Sequence, residues 1–294
     1  MILMKTCLAV AFVALIVAAA EWTVAAQNPQ QAPQPLKTEK IKDDLYVITG
    51  DGGNTTAYVT DEGVILVDDK NDRNHDDLIA AVKSLSEIPV RYVINTHAHG
   101  DHTGGNQKLS GAVIVGQVNE RADMIKGKLA GAPSVTYNDQ MTIFLGGKEV
   151  DLRYFGRCHT DGDTFVYFPA DKVIVTGDCF NTGNGRGLNP TGSTTPGFYA
   201  DYTINGSVLS WPATVDAALR LDWDIVIPGH GPPSNRAAFL KWRRDVDAVI
   251  DRVRTMARAG KTKTDIEQVL VREFGWETTG MPIRSLDAVM VELK

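Results

Sequence analysis

Four side chains able to bind a metal ion fall within six positions of this 294-residue chain: His97, His99, Asp101 and His102, in the run His97-Ala98-His99-Gly100-Asp101-His102. Neutral imidazoles and a carboxylate suit zinc, iron or manganese. Crowded into one loop, they can serve two ions at once. Two more of the six histidines stand after apolar stretches: His159 follows Tyr154-Phe155-Gly156-Arg157-Cys158, and His230 follows Ile227-Pro228-Gly229. Either one alone would read as a structural histidine. Beside the first cluster, both read as ligands. Asp178 follows Val173-Ile174-Val175-Thr176-Gly177 and is presented the same way. The chemistry such a set supports is hydrolysis, because coordination lowers the pKa of water from about 15.7 to about 7. Asp101 could also accept a proton or orient the water, and no serine or cysteine nucleophile is needed. The chain has no G-x-G-x-x-G after a strand, no G-x-x-x-x-G-K-[ST] and no G-x-S-x-G, so nucleotide binding and serine hydrolysis have no motif here.

The segments around these residues explain how they could meet. Short apolar runs at residues 45–48, 56–59 and 64–67 are separated by Gly50-Asp51-Gly52-Gly53-Asn54 and Asp61-Glu62-Gly63, which reads as strands joined by turns. Leu78, Ile79, Val82 and Leu85 share a helical face. Residues 91–94 form a strand that runs into the histidine loop. Further strands are expected at 112–115, 142–145, 150–155, 164–168, 173–175 and 225–227, with a helix near 120–126. From Arg236, the spacing of Phe239, Trp242, Val246, Val249, Ile250 and Val253 predicts an amphipathic helix that Gly260 ends. Thr264-Asp265-Ile266-Glu267 reads as a capping box opening another. Hairpins mixed with helices argue against a regular doubly wound sheet.

At the N-terminus, Lys5 precedes an uncharged 14-residue run, residues 7–20, CLAVAFVALIVAAA. Its length suits a signal peptide rather than a membrane span of about 20 residues. Cleavage is expected after Val24-Ala25-Ala26, with Ala18-Ala19-Ala20 as the second choice. The chain therefore divides into a signal peptide at 1–26, a Pro- and Gln-rich flexible linker at 27–40, a catalytic domain at 41–256 and a short helical extension at 257–294. A periplasmic or extracellular location follows, with no membrane span in the mature protein. The formal net charge of −6 argues against nucleic acid as a partner and leaves a small molecule as the substrate. Oligomeric state is not legible. Of three cysteines, Cys158 and Cys179 survive processing, too few for a disulfide scaffold.

With these segments in view, the chain resembles the metallo-β-lactamase-fold hydrolase superfamily. The matching pieces are Leu66-Val67-Asp68, the histidine run, Gly156-Arg157-Cys158-His159-Thr160-Asp161-Gly162-Asp163, Thr176-Gly177-Asp178 and Pro228-Gly229-His230-Gly231. They occur in the family's order between about residues 41 and 256. The resemblance implies an α/β (α+β) fold, an αββα sandwich of two mixed β-sheets flanked by helices. It implies that His97, His99 and His159 hold one metal, that Asp101, His102 and His230 hold a second, and that Asp178 bridges them. Asp68 would be structural, below the site. The expected cofactor is two divalent ions, zinc first, with iron or manganese as alternatives.

The implied activity is that of an exported dinuclear hydrolase attacking an ester, lactone, thioester or amide carbonyl with a metal-bound hydroxide. A periplasmic β-lactamase is the alternative. A thioesterase resembling hydroxyacylglutathione hydrolases, or a single-iron redox enzyme of this fold, is the second. Lactamases of this fold usually carry Cys or Ser where Asp178 stands, and those with Cys add a nearby Lys. Here Asp178-Cys179-Phe180-Asn181 has none. The long loop 181–205 is rich in Gly, Asn, Thr and Pro and reads as a pocket rim. Asn181, Arg186, Phe198, Tyr199 and Tyr202 are its candidate substrate contacts, and Arg186 could supply a missing positive charge. Cys158 and Cys179 adjoin His159 and Asp178, so they could be bridged or be two buried thiols.

Overall fold

The structure, a computed structural model, describes residues 34–182, 199–276 and 285–294. The signal segment, Arg186 and Phe198 lie outside these residues. The first sheet begins as an antiparallel meander of β1 (Lys37–Lys40), β2 (Leu45–Thr49), β3 (Thr55–Thr60) and β4 (Gly63–Val67). It continues in parallel through β5 (Val90–Ile94), β6 (Val113–Gln117) and β7 (Val135–Tyr137). Helix α1 (His75–Leu85) connects β4 to β5, and α3 (Val118–Lys126) connects β6 to β7. The short α2 (Gly100–Thr103) lies within the histidine run.

The second sheet has the order β13-β12-β11-β10-β9-β8. Strands β8 (Gln140–Leu145), β9 (Lys148–Arg153), β10 (Phe165–Phe168) and β11 (Val173–Val175) are antiparallel. Strand β12 (Ile225–Ile227) joins β11 in parallel and pairs antiparallel with β13 (Ser234–Asn235). Among the described residues, four helices follow this sheet or pack on it: α4 (Trp211–Ala218), α5 (Arg236–Arg258), α6 (Lys263–Phe274) and α7 (Leu286–Glu292).

The two-residue period of a strand explains the layering. Ile65 and Val67 face the second sheet, whose Val166, Phe168, Val173 and Val175 meet them in one buried cluster. Their neighbours Val64 and Leu66 face outward and are covered by Leu78 and Val82 of α1. On the other side, Phe165 and Ile174 turn away from the central cluster onto Trp211, Phe239, Val246 and Ile250. Both faces of both sheets are thus apolar, which is why β4, β10 and β11 read as continuous hydrophobic runs rather than alternating ones. The result is the expected αββα sandwich.

Three boundaries differ from the sequence expectations. Lys37–Lys40, assigned above to the flexible linker, forms β1. All four residues are exposed, so no apolar period marks them, and only backbone pairing with β2 makes them a strand. Helix α6 starts two residues earlier than Thr264 implied, because Thr262 and Asp265 close the capping box: Thr262 N donates to Asp265 Oδ2 at 3.0 Å and Asp265 N to Thr262 Oγ1 at 3.2 Å. The expected boundary between residues 256 and 257 falls inside a helix. Helix α5 runs to Arg258, and Ile266, Leu270, Leu286, Val289 and Leu293 are buried in the same cluster as α5.

Candidate metal centre

The floor of the site lies where β4 and β5 end side by side. Asp68, the residue after β4, adopts φ 60°, a left-handed conformation rare for a residue with a Cβ. Its carboxylate accepts three hydrogen bonds: Oδ1 takes Thr96 N at 2.7 Å, and Oδ2 takes Thr96 Oγ1 at 2.7 Å and His102 Nδ1 at 2.7 Å. The next acid, Asp69, accepts Gly105 N at 2.9 Å. Two carboxylates at the end of one strand thereby fix both ends of the histidine run.

Three loops bring the other donors to this floor. His159 Nε2 stands 2.9 Å from His99 Nδ1, and His97 Nε2 stands 3.1 Å from the same atom. His230 Nε2 lies 3.4 Å from His102 Nε2 and 3.3 Å from Asp101 Oδ2. Asp178 sits between the groups. Its Oδ1 is 3.4 Å from both His102 Nε2 and His230 Nε2, and its Oδ2 is 3.6 Å from His159 Nε2. His97, His102 and His159 are buried, whereas His99, Asp101, Asp178 and His230 are partly exposed and form the open side. All seven expected donors fall in three overlapping sets: His97, His99 and His159; His97, His102 and Asp178; and Asp101, His102 and His230.

The tautomers implied by the hydrogen bonds decide what this arrangement can hold. His97 Nδ1 donates to Thr96 Oγ1 at 3.0 Å, His102 Nδ1 to Asp68, His159 Nδ1 to Tyr199 O at 2.5 Å, and His99 Nε2 to Asp201 Oδ2 at 3.0 Å. Each of these rings therefore turns its other nitrogen toward the common centre, and that nitrogen is bare whenever the ring is neutral. Bare nitrogens about 3 Å apart repel unless a cation lies between them. Donors around a tetrahedral ion with bonds of about 2.0–2.1 Å stand about 3.3 Å apart, which the observed separations bracket. Asp178 Oδ1 is buried and accepts no hydrogen bond, as a carboxylate awaiting a cation would. The donor set fits divalent metal.

The electrostatics divide the two groups. Burial takes His159 down to about 4. Burial also opposes a charge on His230, but Asp178 and Asp101 outweigh it and carry that ring up to about 9. His102 is raised well above its usual range against the same opposition, by Asp68, Asp178 and Asp101. Burial likewise pushes Asp178 upward, and His230 and His102 overcome it and hold the carboxylate well below its usual range.

The remaining candidates are placed differently from one another. Asn181 turns its Oδ1 to His230 N at 2.7 Å, which supports the ligand loop rather than a substrate. Tyr199 packs its ring 5.6 Å from His159 and lends its carbonyl to that imidazole. Tyr202 gives its hydroxyl to Glu292 at 2.6 Å, a partner on the C-terminal helix. Cys158 and Cys179 are free and fully buried. They are not the bridged pair their positions allowed, but small core residues whose sulfurs lie with an oxygen of Asp163 within 4.8 Å.

Sequence reading missed four residues. Asp201 orients His99 from 102 positions away. Asn54, in the β2–β3 turn, donates to Pro228 O at 2.9 Å and Gly231 O at 2.8 Å and so grips the loop of His230. Gly53 lies so close to His102 that a Cβ would stand 2.3 Å from its Cε1. Lys70 is fully buried, donates to Gly53 O at 2.7 Å, and is lowered by burial to about 8. None carries a local signature. The Gly50–Asn54 cluster announced a turn, but nothing in it said what the turn would touch.

Residues 48–230 match the family model described as the metallo-beta-lactamase superfamily. The 2,4-dinitroanisole O-demethylase subunit alpha of Nocardioides sp. (strain JS1661) is 28% identical over 265 residues, covering 85% of this chain and 74% of that protein. The metallo-beta-lactamase type 2 of Elizabethkingia meningoseptica is 29% identical over 172 residues, 54% of this chain and 68% of its own. The solved metallo-beta-lactamase from Pontibacter korlensis superposes with a TM-score of 0.60 at 20% identity, over 71% of this chain and 99% of that one.

Proposed function

From the premise that this chain belongs to the metallo-beta-lactamase superfamily, we propose that it is an exported hydrolase that uses two divalent ions, zinc first, to cleave an ester, lactone, thioester or amide. The observation that carries this reading is the convergence of bare imidazole nitrogens from His97, His99, His102 and His159, each backed by an acceptor on its far side. His97, His99 and His159 would hold one ion, and Asp101, His102 and His230 the other, with Asp178 shared. Divalent ions bound there supply an acidified water and a Lewis acid for the carbonyl. Asp101, on the open side, is placed to take up and return a proton. Asp68, Thr96, Tyr199 and Asp201 hold the imidazoles in the tautomer that leaves the inner nitrogen free.

Export rests on the uncharged run 7–20 and the small residues up to Ala26. Among the described residues, no helix is long and apolar enough to cross a membrane. N-terminal sequencing of the periplasmic or secreted form should begin at Gln27, and unprocessed cytosolic protein would defeat export.

Two specific observations shape the substrate question. Asp178 stands where dedicated lactamases carry Cys or Ser, and no lysine stands at the short spacing after it that those lactamases use, which favours simple acyl substrates over β-lactams. The demethylase relative is similar over 85% of the chain, against 54% for the Elizabethkingia lactamase. This favours, as a second reading, an activated aryl methyl ether opened by water to a phenol and methanol. The test is metal analysis of protein purified without chelator, followed by kcat/KM with zinc on an aryl ester, an acyl-homoserine lactone, an acyl thioester, nitrocefin, a carbapenem and 2,4-dinitroanisole. About two equivalents of metal and a preference for the acyl substrates support the reading. A single iron, or lactams faster by a factor of about 100, near 2.7 kcal/mol of transition-state preference, would overturn it.

A further inference from the structure

We propose that Glu292, on the C-terminal helix α7, is a positioning residue for the His97, His99 and His159 group, acting through the segment 199–209. The inference rests on the reading of that group as a metal site.

Two of the three imidazoles are oriented from this one segment. His159 donates to Tyr199 O at 2.5 Å, and His99 donates to Asp201 Oδ2 at 3.0 Å. The segment is short and tightly turned, with its parts bonded to one another and to the backbone of His159. Asp201 N donates to His159 O at 2.8 Å, Gly206 N to Asp201 O at 2.9 Å, and Thr203 N to Asp201 Oδ1 at 2.9 Å. A Cβ on Gly206 would stand 2.3 Å from His159 O, which shows how closely the turn lies on the ligand's backbone.

The other side of the same segment ends on a single carboxylate. Glu292 Oε2 accepts Tyr202 Oη at 2.6 Å and Leu209 N at 3.1 Å, and its Oε1 accepts Ser207 Oγ at 2.6 Å. Those donors flank the turn that carries Asp201. Helix α7 is itself anchored, with Leu286, Val289 and Leu293 buried in the helical core. Between α7 and the segment lies a cleft of about 490 Å³ lined by Arg157, Tyr202, Asn205, Ala288, Val291 and Glu292. Beside the apolar packing of Ala200, Val208 and Tyr202 in the same cluster as Leu286, Val289 and Leu293, the carboxylate is a polar tie across this cleft. An ionised acceptor serving three donors at once is a strong and directional tie. Partners that orient ligand histidines set metal affinity as well as activity, so this C-terminal helix helps to set the strength of a metal site whose nearest ligand, His159, lies 133 positions before Glu292 in sequence.

Glu292→Gln tests this, because an amide keeps the shape but can accept on only one side. Zinc affinity is measured by chelator competition in the full-length mature protein, with the unfolding temperature of the metal-free form read alongside. Glu292→Gln should weaken zinc binding about tenfold, the lower end of what such orienting partners control, and leave the metal-free protein folded. Tyr202→Phe, which removes one of the three donors, should show a smaller loss in the same direction. Adding Glu292→Gln to Asp201→Asn should weaken binding by no more than about twofold beyond Asp201→Asn alone, since both act through one element. Asp287→Asn on the same helix, an exposed residue at the edge of that cleft whose partner is Lys263 at 2.7 Å, should bind zinc as the wild type does. Unchanged affinity in Glu292→Gln and Tyr202→Phe, an equal loss in Asp287→Asn, or losses that multiply in the double variant would overturn the inference while leaving the metal site standing. A wild-type protein that binds no zinc would overturn both.

Discussion

His102 Nδ1 donates to Asp68 Oδ2 at 2.7 Å, with both residues buried and 34 positions apart. The same carboxylate holds Thr96 through its backbone and its hydroxyl. An amide in its place would set an N–H₂ against one of these donors. Asp68→Asn is expected to lower zinc affinity or kcat about 10- to 100-fold, the range for partners that orient ligand histidines. Metal stoichiometry and kcat/KM of the purified variant check it, and full zinc loading with normal turnover would contradict it.

Asp178 presents the opposite case, a carboxylate whose Oδ1 accepts no hydrogen bond. Asp178→Asn therefore removes charge without breaking a polar network at that atom, and the protein should remain folded. Its zinc content should fall at both groups and its activity by at least about 100-fold, because the negative charge that would offset the proposed pair of dications is gone. A folded variant with wild-type activity would remove Asp178 from the site.

Three glycines separate steric need from sequence neighbourhood. A Cβ on Gly229 would stand 2.0 Å from Asp178 Oδ1, and one on Gly53 would stand 2.3 Å from His102 Cε1. Gly53→Ala and Gly229→Ala must push a ligand aside, and displacements near 1 Å cost about 100-fold in rate. Gly100, inside the histidine run, has nothing within 4 Å of an added Cβ, so Gly100→Ala should keep its metal and its stability within about 0.5 kcal/mol. Thermal melts and zinc content of the three variants distinguish them.

Acid should strip the two groups in order. In the metal-free protein His230 keeps its proton up to about 9, because Asp178 and Asp101 outweigh the burial that opposes it, and His102 is raised as well. An ion entering the Asp101, His102 and His230 group displaces the His230 proton, so its affinity should fall about tenfold for each pH unit below about 9. His159 is already neutral above about 4, and only His99 in its group is raised. The ion at Asp101, His102 and His230 should therefore leave first on acidification. The raised ring of His230 also stabilises the metal-free fold. That contribution is fully present below the ordinary value of 6.5 and is lost as pH rises through about 9. Stepwise zinc release followed from pH 9 to pH 5 reads the order. Simultaneous release would contradict it.

Much of the donor set was legible because metal chemistry restricts it to a few residue types, and because short loops after strands repeat the same local solution. Four donors in six positions, with His159, Asp178 and His230 each following an apolar run, need no knowledge of the fold to be noticed. The periods of two and 3.6 residues were as readable, and β4, β5, β10, β11 and α5 lie where they indicate. By contrast, β1 escaped because all of its residues are exposed. Asp201, Asn54, Gly53, Lys70 and Glu292 carry no pattern of their own. Each matters through one contact with a residue 17 to 177 positions away or through a chain of such contacts. A sequence by itself determines which side chains can bind an ion and which strands present them, since both follow from local chemistry and periodicity. Which oxygen lies behind each imidazole, and so which nitrogen is left for the metal, depends on how the two sheets and the C-terminal helices pack. That was decided only by the tertiary structure, because a hydrogen bond is settled by tenths of an ångström between segments that the chain order leaves far apart.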